Sequence, residues 1–198
     1  MSPLAKIVPF SQQFLAEVLR PGDLAIDLTA GNGHDTLQMW RAVGRDGTVI
    51  AFDLQEGALA QTARRLADAG VDCCRHSSPP EQWSSGLHLV HAGHERLQLF
   101  VNSAPRAIIA NLGYLPGSDK KVITTPESTL AALDQGGELL APGGRIAVVV
   151  YTGHSGGAEE AEAVENWFAA LDGSTWETLR LSVANRADSP FLLVAEKK

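Results

Sequence analysis

Two stretches of the chain hold residues whose types and spacing could do chemistry. The first is Asp27-Leu28-Thr29-Ala30-Gly31-Asn32-Gly33-His34-Asp35, an apolar run that meets two closely spaced glycines just before a helical pattern. Glycines there permit a sharp turn and let a ligand lie against bare backbone without meeting a Cβ. A dinucleotide fingerprint would put a third glycine at position 36, where the chain has Thr36, so pyrophosphate binding is disfavoured. Asp53 closes the next apolar run, 20 residues after Gly33, and is placed to accept hydrogen bonds from two ribose hydroxyls. That acid suits either an adenosine-containing ligand or NAD. Asp27, beside the loop, would welcome a cation and repel a pyrophosphate. The second stretch is a pair of later strand ends, Asn111-Leu112-Gly113-Tyr114-Leu115-Pro116 and Tyr151-Thr152-Gly153-His154. His154, with an ordinary pKa of ~6.5, could exchange a proton near neutrality.

These residues need a frame that brings strand ends together. Apolar positions at helical spacing from Ile7 to Arg20 predict an amphipathic N-terminal helix within residues 1–22, stopped by Pro21-Gly22. Strands are expected at Leu24–Thr29, Thr48–Asp53, Leu87–His91, Arg106–Asn111, Arg145–Tyr151, Thr175–Val183 and Phe191–Glu196. Helical patterns fall between them, near 34, 55–69, 94–102, 125–140 and 158–171. Alternating strands and helices imply an α/β fold, a mostly parallel seven-stranded sheet with helices on both faces. Asn185 to Pro190 is too short for a crossover helix, so the last two strands should form an antiparallel hairpin. Residues 70–86, rich in Ser, Pro and Gly, read as a loop insertion.

Composition narrows the class. At 198 residues, 44% hydrophobic and 20% charged, the chain reads as one globular domain spanning 1–198, without a membrane segment. Sixteen Lys plus Arg stand against 23 Asp plus Glu, a net charge of -7. Such a surface repels polyanions and argues against an extended nucleic-acid track, though one RNA loop could be held by stacking and a few donors. The only cysteines, Cys73 and Cys74, are adjacent, too constrained for an ordinary disulfide. They read as reduced thiols of a cytoplasmic protein, and no metal site is expected.

The glycine loop and Asp53 together resemble the cofactor motifs of class I S-adenosylmethionine (SAM)-dependent methyltransferases, and so imply their Rossmann-like fold. Four segments extend the likeness: DLTAGNGHDT (27–36), NLGYLPGSDK (111–120) followed by ITTPEST (123–129), VVYTGHSGG (149–157) and SPFLLVAEK (189–197). They are similar to those of the small rRNA methylase family, whose members are associated with methylating the 5-aminomethyl group of the tRNA wobble uridine. The resemblance implies a SAM site, vacated as S-adenosylhomocysteine, around Asp27, Ala30, Gly31, Asn32, Gly33, Asp35 and Thr36. Asp53, Leu54, Gly93, His94 and Asn111 complete it. Where the family has Asp-Ser-His after the third strand, this chain has Ala92-Gly93-His94, leaving backbone groups at Ala92 and Gly93 to stand in for the missing acid. The 70–86 stretch is also longer than the family's pattern.

Asn111-Leu112-Gly113-Tyr114 resembles the Asn-Pro-Pro-Tyr loop of amino-group methyltransferases. An amine must be aimed at the methyl carbon with its N–H groups accepted, which the Asn111 amide oxygen and the Leu112 carbonyl can do. Tyr114 offers a face on which a flipped base could stack. On this reading Asn111, Tyr114 and His154 are catalytic, with His34 and Asp35 as rivals for the proton. Leu112, Gly113, Tyr114, Asp119, Lys120, Tyr151 and His154 meet the substrate. Lys120, Lys121 and the helix start after Thr124 and Thr125 could hold a phosphate of a tRNA anticodon loop, with Arg186 as a further contact. The oligomeric state is not readable from the residues; the family resemblance is compatible with a homodimer. Alternatives are an rRNA base or a small amine as acceptor, a non-catalytic relative that binds RNA or a protein, and an NAD(P)-dependent oxidoreductase.

Overall fold

A computed structural model describes residues 6–113, 124–153, 156–186 and 189–198. Strands β1 (Leu24–Asp27), β2 (Thr48–Asp53), β4 (Gly86–His91), β5 (Ala107–Asn111) and β6 (Arg145–Val150) are parallel neighbours, apolar on both faces because helices cover both sides. β7 (Trp176–Leu181) and β8 (Phe191–Lys197) form the expected antiparallel hairpin, and β8 inserts between β6 and β7. With a short edge strand β3 (Cys74–His76), the sheet order is β3-β4-β2-β1-β5-β6-β8-β7.

The sheet has eight strands rather than seven. Cys74–His76, inside the stretch expected to be a loop, is strand β3, paired in parallel with β4. A three-residue edge strand carries no apolar period and is invisible to one; backbone pairing and side-chain anchors make it. His76 Nε2 lies 3.1 Å from His88 Nδ1, and the Trp83 indole donates to the Phe100 carbonyl at 2.6 Å. The helical pattern expected near 94–102 is a 3-10 turn, His94–Arg96, running into one α turn, α4 (Leu97–Phe100).

Alternation along each strand divides the core. Ile26, Ile50, Phe52, Ile108, Ile146 and Val148 face α4, α5 (Pro126–Leu139) and α6 (Gly157–Ala170). Ala25, Val49, Ala51, Ile109, Ala147 and Val149 face α1 (Ile7–Val18), α2 (His34–Val43) and α3 (Glu56–Asp68). Helix α1 lies on β6 and β8, pinned through Arg145, which donates to the Phe14 carbonyl and to Glu17 at 2.7 and 2.6 Å. Strand order runs outward both ways from β1 and β5, so a crevice opens beyond their carboxyl ends, where open α/β sheets bind ligands.

Candidate active site

The glycine loop is built by its neighbours as much as by its own glycines. Gly31 and Gly33 have φ of 52° and 74°, left-handed values that disfavour a side chain. A Cβ on Gly33 would also sit 2.8 Å from the Thr62 methyl of α3. Thr62 donates to the Gly31 carbonyl at 3.0 Å, and Arg65 donates to the Asn32 carbonyl. Asp53 accepts from the Gly31 and Gln55 backbone N–H groups at 2.9 and 2.8 Å, which fixes its carboxylate at the crevice wall. Burial holds that carboxyl above its ordinary pKa, with the two N–H donors opposing.

Three expected contacts lie beneath the crevice instead of in it. Asp27, expected to meet a ligand's cation, is wholly buried and accepts from the Thr36 hydroxyl at 2.6 Å and the Thr29 N–H at 3.0 Å. Gly33 and Thr36 are likewise behind the wall, because the turn into α2 carries them into the packing between α2, α3 and β1. Their work is to shape the loop. Burial, with the Asp35 charge nearby, pushes the Asp27 carboxyl up to about 7 from an ordinary 3.8. The folded protein then keeps a proton that the unfolded chain releases near pH 4, so this group's contribution to stability is greatest in acid and is lost as pH rises towards about 7. Denaturant unfolding should show wild type losing about 2–3 kcal/mol between pH 5 and 8 relative to Asp27→Asn; parallel profiles would contradict this.

The crevice holds about 610 Å³, in the range of small-molecule sites. Ala30, Gly31, Asn32, Asp53, Leu54 and Gly93 line one end. His94 is there too, buried, its Nδ1–H donating to the Leu28 carbonyl at 3.1 Å. That bond leaves Nε2 as an acceptor with no partner among the described residues, and burial lowers the imidazole's pKa. Asn32 Oδ1 is a second buried acceptor without a partner among them. Glu95, which lies in none of the sequence motifs, also lines this end, and its carboxylate folds back against Gly93 where a side chain would otherwise stand. An acid thus reaches the neighbourhood that Ala92 leaves without one.

At the other end Asp35, Asn111, Leu112, Gly113 and Tyr151 line the wall. Asn111 is oriented from two sides. Its backbone N–H donates to Thr29 Oγ1 at 2.8 Å, and its side-chain Nδ2 donates to Asp35 Oδ2 at 2.8 Å. An ionised carboxylate only accepts, so the amide oxygen must point away from Asp35. Burial raises the Asp35 pKa against the donors Gln12 and Asn111, and burial together with the Asp35 charge raises that of Tyr151. His34 stands exposed at the rim. Tyr114, Asp119, Lys120, Lys121 and His154 lie outside the described residues. Thr125 caps α5, with its side chain accepting from the Ser128 N–H, as the expected helix start there requires. Arg186 is exposed in the turn after β7.

Val8, Pro9 and Gln12 of α1 also line the crevice. The amphipathic pattern announced this helix but not its place over the crevice, since no local signal records which strands a helix crosses. Among the described residues no three His, Cys, Asp or Glu side chains could jointly hold a metal ion, and no helix is long and apolar enough to cross a membrane.

A parallel sheet reversing at β1, a hairpin-ended far edge and an acid-anchored glycine loop facing an oriented asparagine define a class I methyltransferase. Residues 49–197 match the family described as "Putative rRNA methylase". The chain belongs to that family of SAM-dependent methyltransferases. A chloroplastic tRNA (mnm(5)s(2)U34)-methyltransferase of Arabidopsis thaliana is 36% identical over 189 residues, 92% of this chain and 66% of that protein. The chain thus spans about two thirds of that relative's length. A structure from Clostridium thermocellum, described as a "putative rRNA-methylase", superposes with a TM-score of 0.87 at 32% identity, covering 98% of both chains. A "putative methyltransferase" of Streptococcus mutans, solved in complex with SAH, gives 0.83 at 34% identity, again over 98% of both.

Proposed function

We propose that this protein transfers a methyl group from SAM to the amine of a 5-aminomethyluridine at the tRNA wobble position. The observation that carries the reading is the Asn111 amide, its nitrogen held by Asp35 and its oxygen left to the crevice. Bound SAM supplies an electrophilic methyl carbon on a positively charged sulfur. Asp53 is positioned to accept from the ribose hydroxyls, Leu54 to cover the base with its exposed side chain, and Glu95 or the unpartnered His94 Nε2 to meet polar hydrogens of the adenine end.

Asn111 Oδ1 and the Leu112 carbonyl accept two amine hydrogens, which turns the nitrogen lone pair towards the methyl carbon. The aminomethyl group, an alkylammonium in water, first gives one proton to solvent to free that lone pair; as the N–C bond forms, the C–S electron pair returns to sulfur and the product leaves as a methylammonium. The nearby Asp35 carboxylate favours an alkylammonium at this wall over a neutral ring nitrogen, and the tRNA named for the Arabidopsis relative carries a side-chain amine of that kind. Incubation with labelled SAM and tRNA lacking the terminal methyl should place label on the wobble uridine. Label in ribosomal RNA alone would move the acceptor to the rRNA that the family's description names, and cofactor binding without transfer to any RNA would leave a non-catalytic relative.

A further inference from the structure

Helix α1 reaches the amine wall through one side chain. Gln12 Nε2 donates to Asp35 Oδ1 at 2.7 Å, while Asp35 Oδ2 accepts from Asn111 Nδ2 at 2.8 Å. We propose that Gln12 is a positioning residue for methyl transfer: by holding Asp35 it keeps the Asn111 amide turned so that its oxygen, not its NH2, meets the acceptor amine. This inference rests on the function proposed above and adds to it a residue from outside the sequence motifs.

An ionised Asp35 admits only one orientation of the Asn111 amide, because both carboxylate oxygens accept. A protonated Asp35 can donate instead, and the amide can then turn its oxygen towards Asp35 and present NH2, a donor that would occupy the lone pair with which the amine must attack. Transfer therefore depends on Asp35 staying ionised. Gln12 favours ionisation directly, since its N–H donates to the charged form. The other groups around Asp35 are known element by element. His34 of α2 favours ionisation, Tyr151 after β6 stands close, α1 and β5 contribute the neutral amides of Gln12 and Asn111, and Asp27 of β1 keeps its proton up to about pH 7. Gln12 is also held firmly enough for the task, because the next turn of α1 buries Leu15 and Arg145 ties the helix to β6.

Gln12→Met tests the relay by keeping length and helix propensity while removing the donor. The acid limb of kcat/KM for aminomethyl tRNA should move up by about one pH unit. Cofactor affinity and the rate on the alkaline plateau should stay within about threefold of wild type, less than the tenfold that 1.4 kcal/mol would bring. The Asp35 carboxyl titration, followed by carbon-13 NMR in the free protein, should move up by the same amount. A loss of packing alone would lower the melting temperature without moving either titration. An unshifted limb in an active variant overturns the proposal, as does a shifted limb with an unshifted Asp35. Should wild type methylate no amine on tRNA, the proposed function fails by itself, and the NMR titration still decides whether Gln12 governs Asp35: an unmoved value overturns the relay.

Discussion

Asn111→Ala should lower single-turnover methyl transfer by about 10²–10³-fold, with the dissociation constant for S-adenosylhomocysteine changing less than about threefold. The asymmetry follows from position. Asn111 ends β5 on the acceptor side, and its backbone bond to Thr29 survives the substitution. What disappears is the oxygen that orients the amine, together with the N–H that Asp35 Oδ2 accepts. Orientation matters most in the transition state, where a misaimed lone pair cannot reach the carbon in line, so the loss falls on turnover. Calorimetry paired with rapid-quench transfer assays separates the two quantities. A matching loss of cofactor affinity would show that Asn111 belongs to the cofactor's wall and not to the acceptor's.

Asp53→Ala should do the reverse. Two charge-assisted hydrogen bonds to ribose hydroxyls are worth about 1.5–3 kcal/mol each, so cofactor binding should weaken by roughly 10²–10³-fold once partial solvation of the wall is allowed for. The carboxylate also accepts from Gly31 and Gln55, and its removal frees the glycine loop from the end of β2. Turnover at saturating cofactor should nonetheless stay within about tenfold of wild type, because Asn111, Asp35 and Gln12 do not touch Asp53. Isothermal titration with S-adenosylhomocysteine, backed by a melting curve, is the measurement. Unchanged affinity would place the ribose elsewhere.

The contrast between Asp53 and Asp27 marks where reading residues along the chain stops working. Both acids close apolar strand runs beside the glycine loop, and nothing local distinguishes them. Packing does: β1 lies at the centre of the sheet with α2 crossing its end, so Asp27 is sealed under Thr36, while β2 ends one strand farther out and leaves Asp53 at the wall. Glu95 likewise enters the site only because the 3-10 turn at His94–Arg96 folds it back onto Gly93.

Strand and helix periods, the glycine loop, the acid that ends β2 and the asparagine that ends β5 are legible in the chain alone, because each is a local pattern that one element's geometry imposes. β3, the burial of Asp27 and the Gln12–Asp35–Asn111 relay are not. They join residues 9, 12, 23 or 76 positions apart on different elements, and such contacts arise from how elements stack, which no local period encodes.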